Sequence, residues 1–349
     1  MLNRNNQIKV LIVDDSLLFR VKLEKSLAED PVISVVGTAG GAVEAMQKIE
    51  QMHPDFLVLD VEMPRTSGID FLKKLLPQYP IPVLVISSRP EYALDAMEAG
   101  ALDFEPKPAA GEINQFVEEL KSKIKALHNS KVYGARRPYP AQAKAAPPPR
   151  SAGAFGVPSK MLVAIGASTG GTEAIIQVVK DLPPTTPGIV IVQHMPAGFT
   201  KLYSERLDRV CKMSAKEAVD GDRVETGSIL VGAGDFHLSV KRDARGYFVR
   251  SQKGEKVSGH CPSVDVLFSS CAEEAGADCI GVILTGMGAD GANGITRMRQ
   301  RGAYTIGQDQ ESCVVYGMPM EAFKRGGISK QLPLTQIGQE ILAQLAKTR

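Results

Sequence analysis

Short apolar runs alternate with stretches of helical spacing along most of this chain, first from Ile8 to about Leu127 and again from Lys160 onward. Strands that alternate with helices pair in parallel and need helices over both faces, so the rhythm predicts two doubly wound α/β units. Between them the composition changes to Pro138, Pro140, Pro147, Pro148, Pro149 and Pro158 among alanines, with no acidic residue from Leu120 through Thr172. Such a segment reads as an extended basic tether. The expected division is therefore a first domain at 1–128, a linker at 129–158 and a second domain at 159–349, which suits a 349-residue chain.

In the first unit the pattern predicts strands at 9–13, 33–37, 56–60, 83–87 and 102–105, closed by a helix at 113–127. Ligands bind such sheets at the carboxyl ends of the strands. Asp14 and Asp15 follow the first strand and Asp60 ends the third. Carboxylates crowded at one edge repel one another unless a cation separates them, and a hard ion such as Mg²⁺ with oxygen ligands does so. Ser87 adds a hydroxyl at the end of the fourth strand, and Lys107 offers a point charge suited to a phosphoryl oxygen. Acidic capping of strand ends explains any one of these carboxylates, but not the cluster together with the lysine.

Asp14-Asp15, the run Leu59-Asp60-Val61-Glu62-Met63-Pro64, Ser87 and Lys107-Pro108 resemble, in order and spacing, the receiver domain of bacterial response regulators. The resemblance implies a flavodoxin-like five-stranded parallel sheet in which Asp60 takes a phosphoryl group from a phosphohistidine with Mg²⁺ present. It further implies Ser87 and Phe104 as switch residues and a cis Lys107–Pro108 bond.

In the second unit the apolar run 161–165 leads into Gly166-Ala167-Ser168-Thr169-Gly170-Gly171 and then a helical stretch. A strand, a sharp glycine turn and a helix start expose a hydroxyl beside free N–H groups, the nucleophile-elbow pattern G-x-S-x-G. Close helix packing or phosphate binding remains open on the motif alone, although the Walker lysine and the second glycine of the dinucleotide pattern are missing. Strands are expected at 188–193, 279–284 and 304–306, with 229–232, 236–241 and 247–251 as an antiparallel hairpin patch. Helices are expected near 200–212, 263–275, 319–324 and 334–346.

A nucleophilic serine needs a base and an orienting acid. His53 and His128 lie in the other unit, His237 sits within an alternating strand, and His260 stands in a loop as a second choice. His194 alone ends a buried parallel strand on the edge that carries Ser168. Asp290 follows the most apolar strand on that same edge, with helix N-capping as its plain alternative. The triad expected is Ser168, His194 and Asp290.

Gly166 to Gly171, Gln193-His194-Met195-Pro196, Pro262 to Phe268, Leu284 to Gly291 and Val315 to Pro319 resemble the catalytic domain of the CheB family of chemotaxis protein-glutamate methylesterases. Ser258-Gly259-His260-Cys261 stands where that family often carries a more basic stretch. The resemblance implies hydrolysis of glutamate methyl esters, and deamidation of particular glutamines, on methyl-accepting chemotaxis receptors. It implies no metal for the hydrolysis, oxyanion binding near Thr169 and Met287, and phosphorylation by a chemotaxis histidine kinase. A receiver packed over the second sheet's edge would then restrain the enzyme until Asp60 is phosphorylated.

Other classes fit less well. Receivers often precede DNA-binding or protein-binding modules without hydrolase activity, but the second half holds no evident recognition-helix unit. The net charge of +2 implies no strong field toward nucleic acid. Without a long apolar segment or a signal-peptide core, membrane insertion is not expected and a cytoplasmic location is. Five cysteines without C-x-x-C spacing are expected to be reduced and mostly buried.

Overall fold

The computed structural model describes residues 7–63, 67–109, 111–130 and 160–347. Pro64 and nearly all of the expected linker lie outside the described residues. The chain divides into two compact units, Met1–Ala143 and Lys144–Arg349.

The first unit runs β1 (Ile8–Val13), α1 (Leu17–Leu27), β2 (Ile33–Ala39), α2 (Ala42–Met52), β3 (Phe56–Asp60), α3 (Gly68–Leu75), β4 (Val83–Ser87), α4 (Pro90–Glu98), β5 (Asp103–Pro106) and α5 (Ile113–Leu127). Its five strands pair in parallel in the order β2-β1-β3-β4-β5. β3 and β4 are buried at every residue, as a sheet covered on both faces requires. The order reverses between β1 and β3, and the acidic residues sit at that crevice. The Lys107–Pro108 bond is trans, not cis. Trans is the intrinsically favoured isomer, and Lys107 meets both buried carboxylates without the rarer form.

The second unit runs β6 (Leu162–Ala167), α6 (Gly171–Val179), β7 (Ile189–Gln193), α7 (Phe199–Val210), β8 (Ser214–Glu217), β9 (Ser228–Val231), β10 (His237–Asp243), β11 (Gly246–Gln252), α8 (Val264–Glu274), β12 (Cys279–Ile283), α9 (Ala292–Gln300), β13 (Tyr304–Gln308), α10 (Met318–Lys324), β14 (Lys330–Leu332) and α11 (Leu334–Lys347). Seven strands form one sheet in the order β14-β13-β12-β6-β7-β9-β8. The chain builds outward from β6 through β7, then returns beside β6 with β12, so the switch point lies between β6 and β12.

β10 and β11 form a separate antiparallel hairpin. Its inward residues Leu238, Val240, Tyr247 and Val249 join a core with Leu267, Phe268 and Cys271 of α8. The strand expected at 229–232 does not belong to this patch. As β9 it pairs in parallel with β7 and β8, because its three apolar residues are buried within the main sheet. β8 and β14 were not expected: neither edge strand carries an apolar alternation.

Candidate active site

Ser168 follows β6 directly. Its N–H donates to the Thr285 carbonyl (3.0 Å), and its own carbonyl accepts from the Gly171 N–H (2.7 Å). Gly170 closes the turn at φ 75°, a left-handed conformation, and a Cβ there would meet Val314 Cβ at 2.6 Å. Glycine is required on both counts. The turn thus leaves Ser168 partly exposed at the start of α6.

His194 follows β7, which pairs beside β6, and its N–H donates to the Ala167 carbonyl (3.1 Å). Its ring Nε2 lies 2.7 Å from Asp290 Oδ2, with both side chains buried. The ring Nδ1 is buried without a hydrogen-bond partner among the described residues.

Asp290, in the loop after β12, is 2% exposed. Besides His194 it accepts from Ser263 Oγ (2.8 Å) and from the N–H groups of Val264 (2.7 Å) and Asp265 (3.0 Å). Those amides open α8, so the carboxylate sits on a helix N-terminus that favours negative charge. It is held below the ordinary carboxylate range: burial opposes the charge, but His194 and the remaining donors outweigh it. Capping and orientation of the histidine are therefore two roles of one side chain. The helix capped is α8, not α9, which Asp290 precedes.

Several polar residues that the sequence pattern did not single out complete the edge. Gln193 Nε2 donates to the carbonyls of Ser168 (2.9 Å) and His194 (3.2 Å). Thr285 Oγ1 donates to the Thr169 carbonyl (2.9 Å), and the Thr285 N–H donates to Gln308 Oε1 (2.8 Å). Gln193, Thr285 and Gln308 stand at or just past strand carboxyl ends, the position that already marked Ser168 and His194. Thr169 is buried, whereas Met287 is 38% exposed. His237 Nε2–H donates to the Glu255 carbonyl (2.8 Å), while its Nδ1 accepts from the Ser263 N–H (3.2 Å). It props the segment that holds Asp290. His260 stacks on His194 with ring centroids 3.6 Å apart. His53 and His128 cap the C-terminal ends of α2 and α5.

In the first unit Asp14, Asp15 and Asp60 bring ligand oxygens within 4.8 Å of one another, a set that a divalent cation fits. Asp14 and Asp60 are fully buried and Asp15 is exposed. Lys107 Nζ bridges Asp60 Oδ2 (2.7 Å) and Asp14 Oδ2 (3.0 Å). Burial raises the Asp60 carboxyl above its ordinary range, with Lys107 opposing and Asp14 adding to the rise. Ser87 Oγ donates to Glu62 Oε1 (2.9 Å). Phe104 is a buried residue of β5, and Lys123 lies over its ring.

All five cysteines are free, and burial pushes the Cys211 thiol up to about 12. No helix among the described residues is long and apolar enough to cross a membrane.

The fold and its two sites define a class: a five-stranded α/β domain with an acidic cluster at its strand ends, joined to a larger α/β domain that carries a serine turn and a buried His–Asp pair on one sheet edge. The family models agree, matching a response regulator receiver domain at 10–120 and a CheB methylesterase domain at 163–341. The chain is 50% identical over 341 residues to protein-glutamate methylesterase/protein-glutamine glutaminase 2 of Syntrophomonas wolfei, covering 97% of this chain and 98% of that protein. It is 46% identical to the Syntrophotalea carbinolica protein-glutamate methylesterase/protein-glutamine glutaminase, covering 98% and 99%. The crystal structure of the Thermotoga maritima CheB methylesterase catalytic domain matches at TM-score 0.52 and 38% identity, covering 53% of this chain and 98% of that one. The chain belongs to the CheB methylesterase family, with a receiver domain preceding an esterase domain in place of a DNA-binding output.

Proposed function

We propose that this chain hydrolyses γ-glutamyl methyl esters on methyl-accepting chemotaxis receptors, deamidates particular receptor glutamines, and does so under control of phosphorylation at Asp60 by a chemotaxis histidine kinase. The observation that carries the reading is the buried His194 Nε2 to Asp290 Oδ2 pair, which leaves Nδ1 unpartnered on the residue that follows β7, the strand paired with the one that leads into Ser168. With Nε2 protonated toward an ionised Asp290, the Nδ1 lone pair is the base.

Ser168 Oγ attacks the ester carbonyl as Nδ1 takes its proton. The backbone N–H groups of Thr169 and Met287 hold the oxyanion, each worth on the order of 3 kcal/mol in the transition state. The imidazolium then protonates departing methoxide, and water repeats the sequence on the acyl-enzyme. A glutamine substrate follows the same path with ammonia leaving. No metal takes part in this hydrolysis.

In the receiver, Asp14, Asp15 and Asp60 would hold Mg²⁺, which when bound neutralises charge on the incoming phosphoryl group. Asp60 is the nucleophile, Lys107 pairs with a phosphoryl oxygen, and Ser87 leaves Glu62 to donate to the phosphate while Phe104 shifts with it. Residues 129–158 serve as the tether, and the place of action is the cytoplasm, without membrane insertion or nucleic acid. Methanol release from methylated receptor tests the reading. Wild type is expected to release it faster with a small phosphodonor, and Ser168→Ala to fall by about 10⁴ or more with or without it. Ser168→Ala at the wild-type rate overturns it.

A further inference from the structure

Two features of the esterase site have no part in the reaction as written: a second imidazole lies flat on His194, and a turn holds it there. The rings of His260 and His194 are 3.6 Å apart between centroids and tilted by 13°. His260 closes a two-residue turn in which Val257 and His260 exchange both backbone hydrogen bonds at 3.0 Å. The two central residues, Ser258 and Gly259, are both left-handed, at φ 52° and 85°. Glycine adopts that conformation freely but serine does not, and such local strain gathers at functional sites. Three residues past His260, Ser263 begins the segment whose hydroxyl and amides grip Asp290. One stretch, 257–265, therefore touches both the histidine and its acid.

We propose that His260 is a positioning residue for the esterase, its ring acting as a flat wall that sets the plane of His194. The inference rests on the reaction given above. A ring held at one edge by the Nε2 to Asp290 bond can still tilt about χ2, a broad torsion. Tilting would take the Nδ1 lone pair out of line with the Ser168 hydroxyl. Face-to-face contact at 3.6 Å blocks it while leaving the Asp290 bond intact. The work is done by the flat face, so an aromatic ring without ring nitrogens should replace it. A second base or a proton relay could not be replaced in that way.

The test uses the full chain with a small phosphodonor, comparing wild type, His260→Ala and His260→Phe. His260→Ala is expected to lower kcat between about 10- and 100-fold, the scale of a misplaced reacting group, with KM changed by less than about twofold. His260→Phe is expected to recover most of kcat. Independently of hydrolysis, NMR relaxation of the His194 ring signals should report a fixed ring in wild type and His260→Phe, and a mobile one in His260→Ala. Wild-type kcat in His260→Ala, unchanged His194 ring relaxation there, or a Phe variant as slow as the Ala variant overturns the proposal. A wild type that releases no methanol tells against the reaction itself, and the ring relaxation still decides the stack.

Discussion

Asp60 and Asp290 are the same residue in the same topological place, each fully or nearly fully buried where an α/β sheet reverses its strand order, yet their surroundings push them in opposite directions. Asp60 faces Lys107 and one N–H, that of Glu62, with Asp14 as a like-charged neighbour, and its carboxyl is raised. Asp290 takes four donors, two of them from a helix N-terminus, and its carboxyl is lowered. Burial alone disfavours charge; the number of donors decides whether the anion becomes a permanent fixture or one that waits for a cation. A fixed anion suits orienting an imidazole. An under-satisfied one suits attack on phosphorus once a metal is present.

The sharpest way to break this contrast is to neutralise each carboxylate with an isostere. Asp60→Asn is expected to abolish phosphoryl uptake from a small phosphodonor while leaving unstimulated esterase activity in place. Asp290→Asn is expected to cut kcat by about 10⁴ through the wrong His194 tautomer. It should also destabilise the esterase unit by about 3 kcal/mol, because donors gathered for an anion lose it. Phosphorylation assays, methanol release and thermal unfolding measure the three effects. Equal stability losses at both positions would erase the distinction.

A smaller effect concerns Asp290 alone. Because the Asp290 carboxyl is lowered, its contribution to stability is present above its ordinary 3.8 and is lost only as pH falls through the lower folded value. Circular dichroism of the esterase unit is therefore expected to hold steady as pH falls to that ordinary value and to give way only below it. A fold that melts above it would show that Asp290 is not the fixed anion described.

Adding a divalent cation probes the other carboxylate. Mg²⁺ at about ten times its dissociation constant should stabilise the receiver by about 1.4 kcal/mol, seen as a rise of its thermal midpoint by about 5 °C. EDTA should reverse the rise, Asp60→Asn should remove most of it, and the esterase unit's midpoint should not move.

Much of this contrast was legible in the residues. Apolar runs marked the strands, and the polar side chains at their carboxyl ends marked Asp14, Asp60, Ser168 and His194, because parallel order puts those ends on one edge. Asp290 was legible for the same reason, but its environment was not. Three of its four donors come from residues 263–265, some 25 positions earlier, and local pattern does not report which helix N-terminus a loop carboxylate will meet. The His260 stack was hidden likewise, since a loop histidine has no periodicity to read. β8 and β14 escaped because short edge strands with a single apolar residue each, Ala215 and Leu332, owe their form to their neighbours in the sheet. β9 was read correctly as a strand and assigned to the wrong sheet, because a short apolar run does not carry its pairing partner with it.

The smallest expected effect concerns what joins the Ser168 turn to the His194 strand end. Gln193 places one amide nitrogen between the carbonyls of Ser168 and His194, and it is 4% exposed. Its approach depends on Gly171, where a Cβ would lie 2.1 Å from Gln193 Oε1. Asp290 has four donors, whereas this bridge is a single neutral amide, so its loss should cost about 1 kcal/mol, the net worth of an ordinary hydrogen bond. Gln193→Met keeps the volume and removes the donor. It is expected to lower kcat about fivefold with KM unchanged, since the bridge sets the spacing of Ser168 and His194. Gln193→Glu should do worse than Met, because a carboxylate would face the same two carbonyl oxygens with no proton to share. If both variants keep the wild-type kcat, the spacing of Ser168 and His194 is set by the β6–β7 pairing alone, and the amide is only a filler of the space above Gly171.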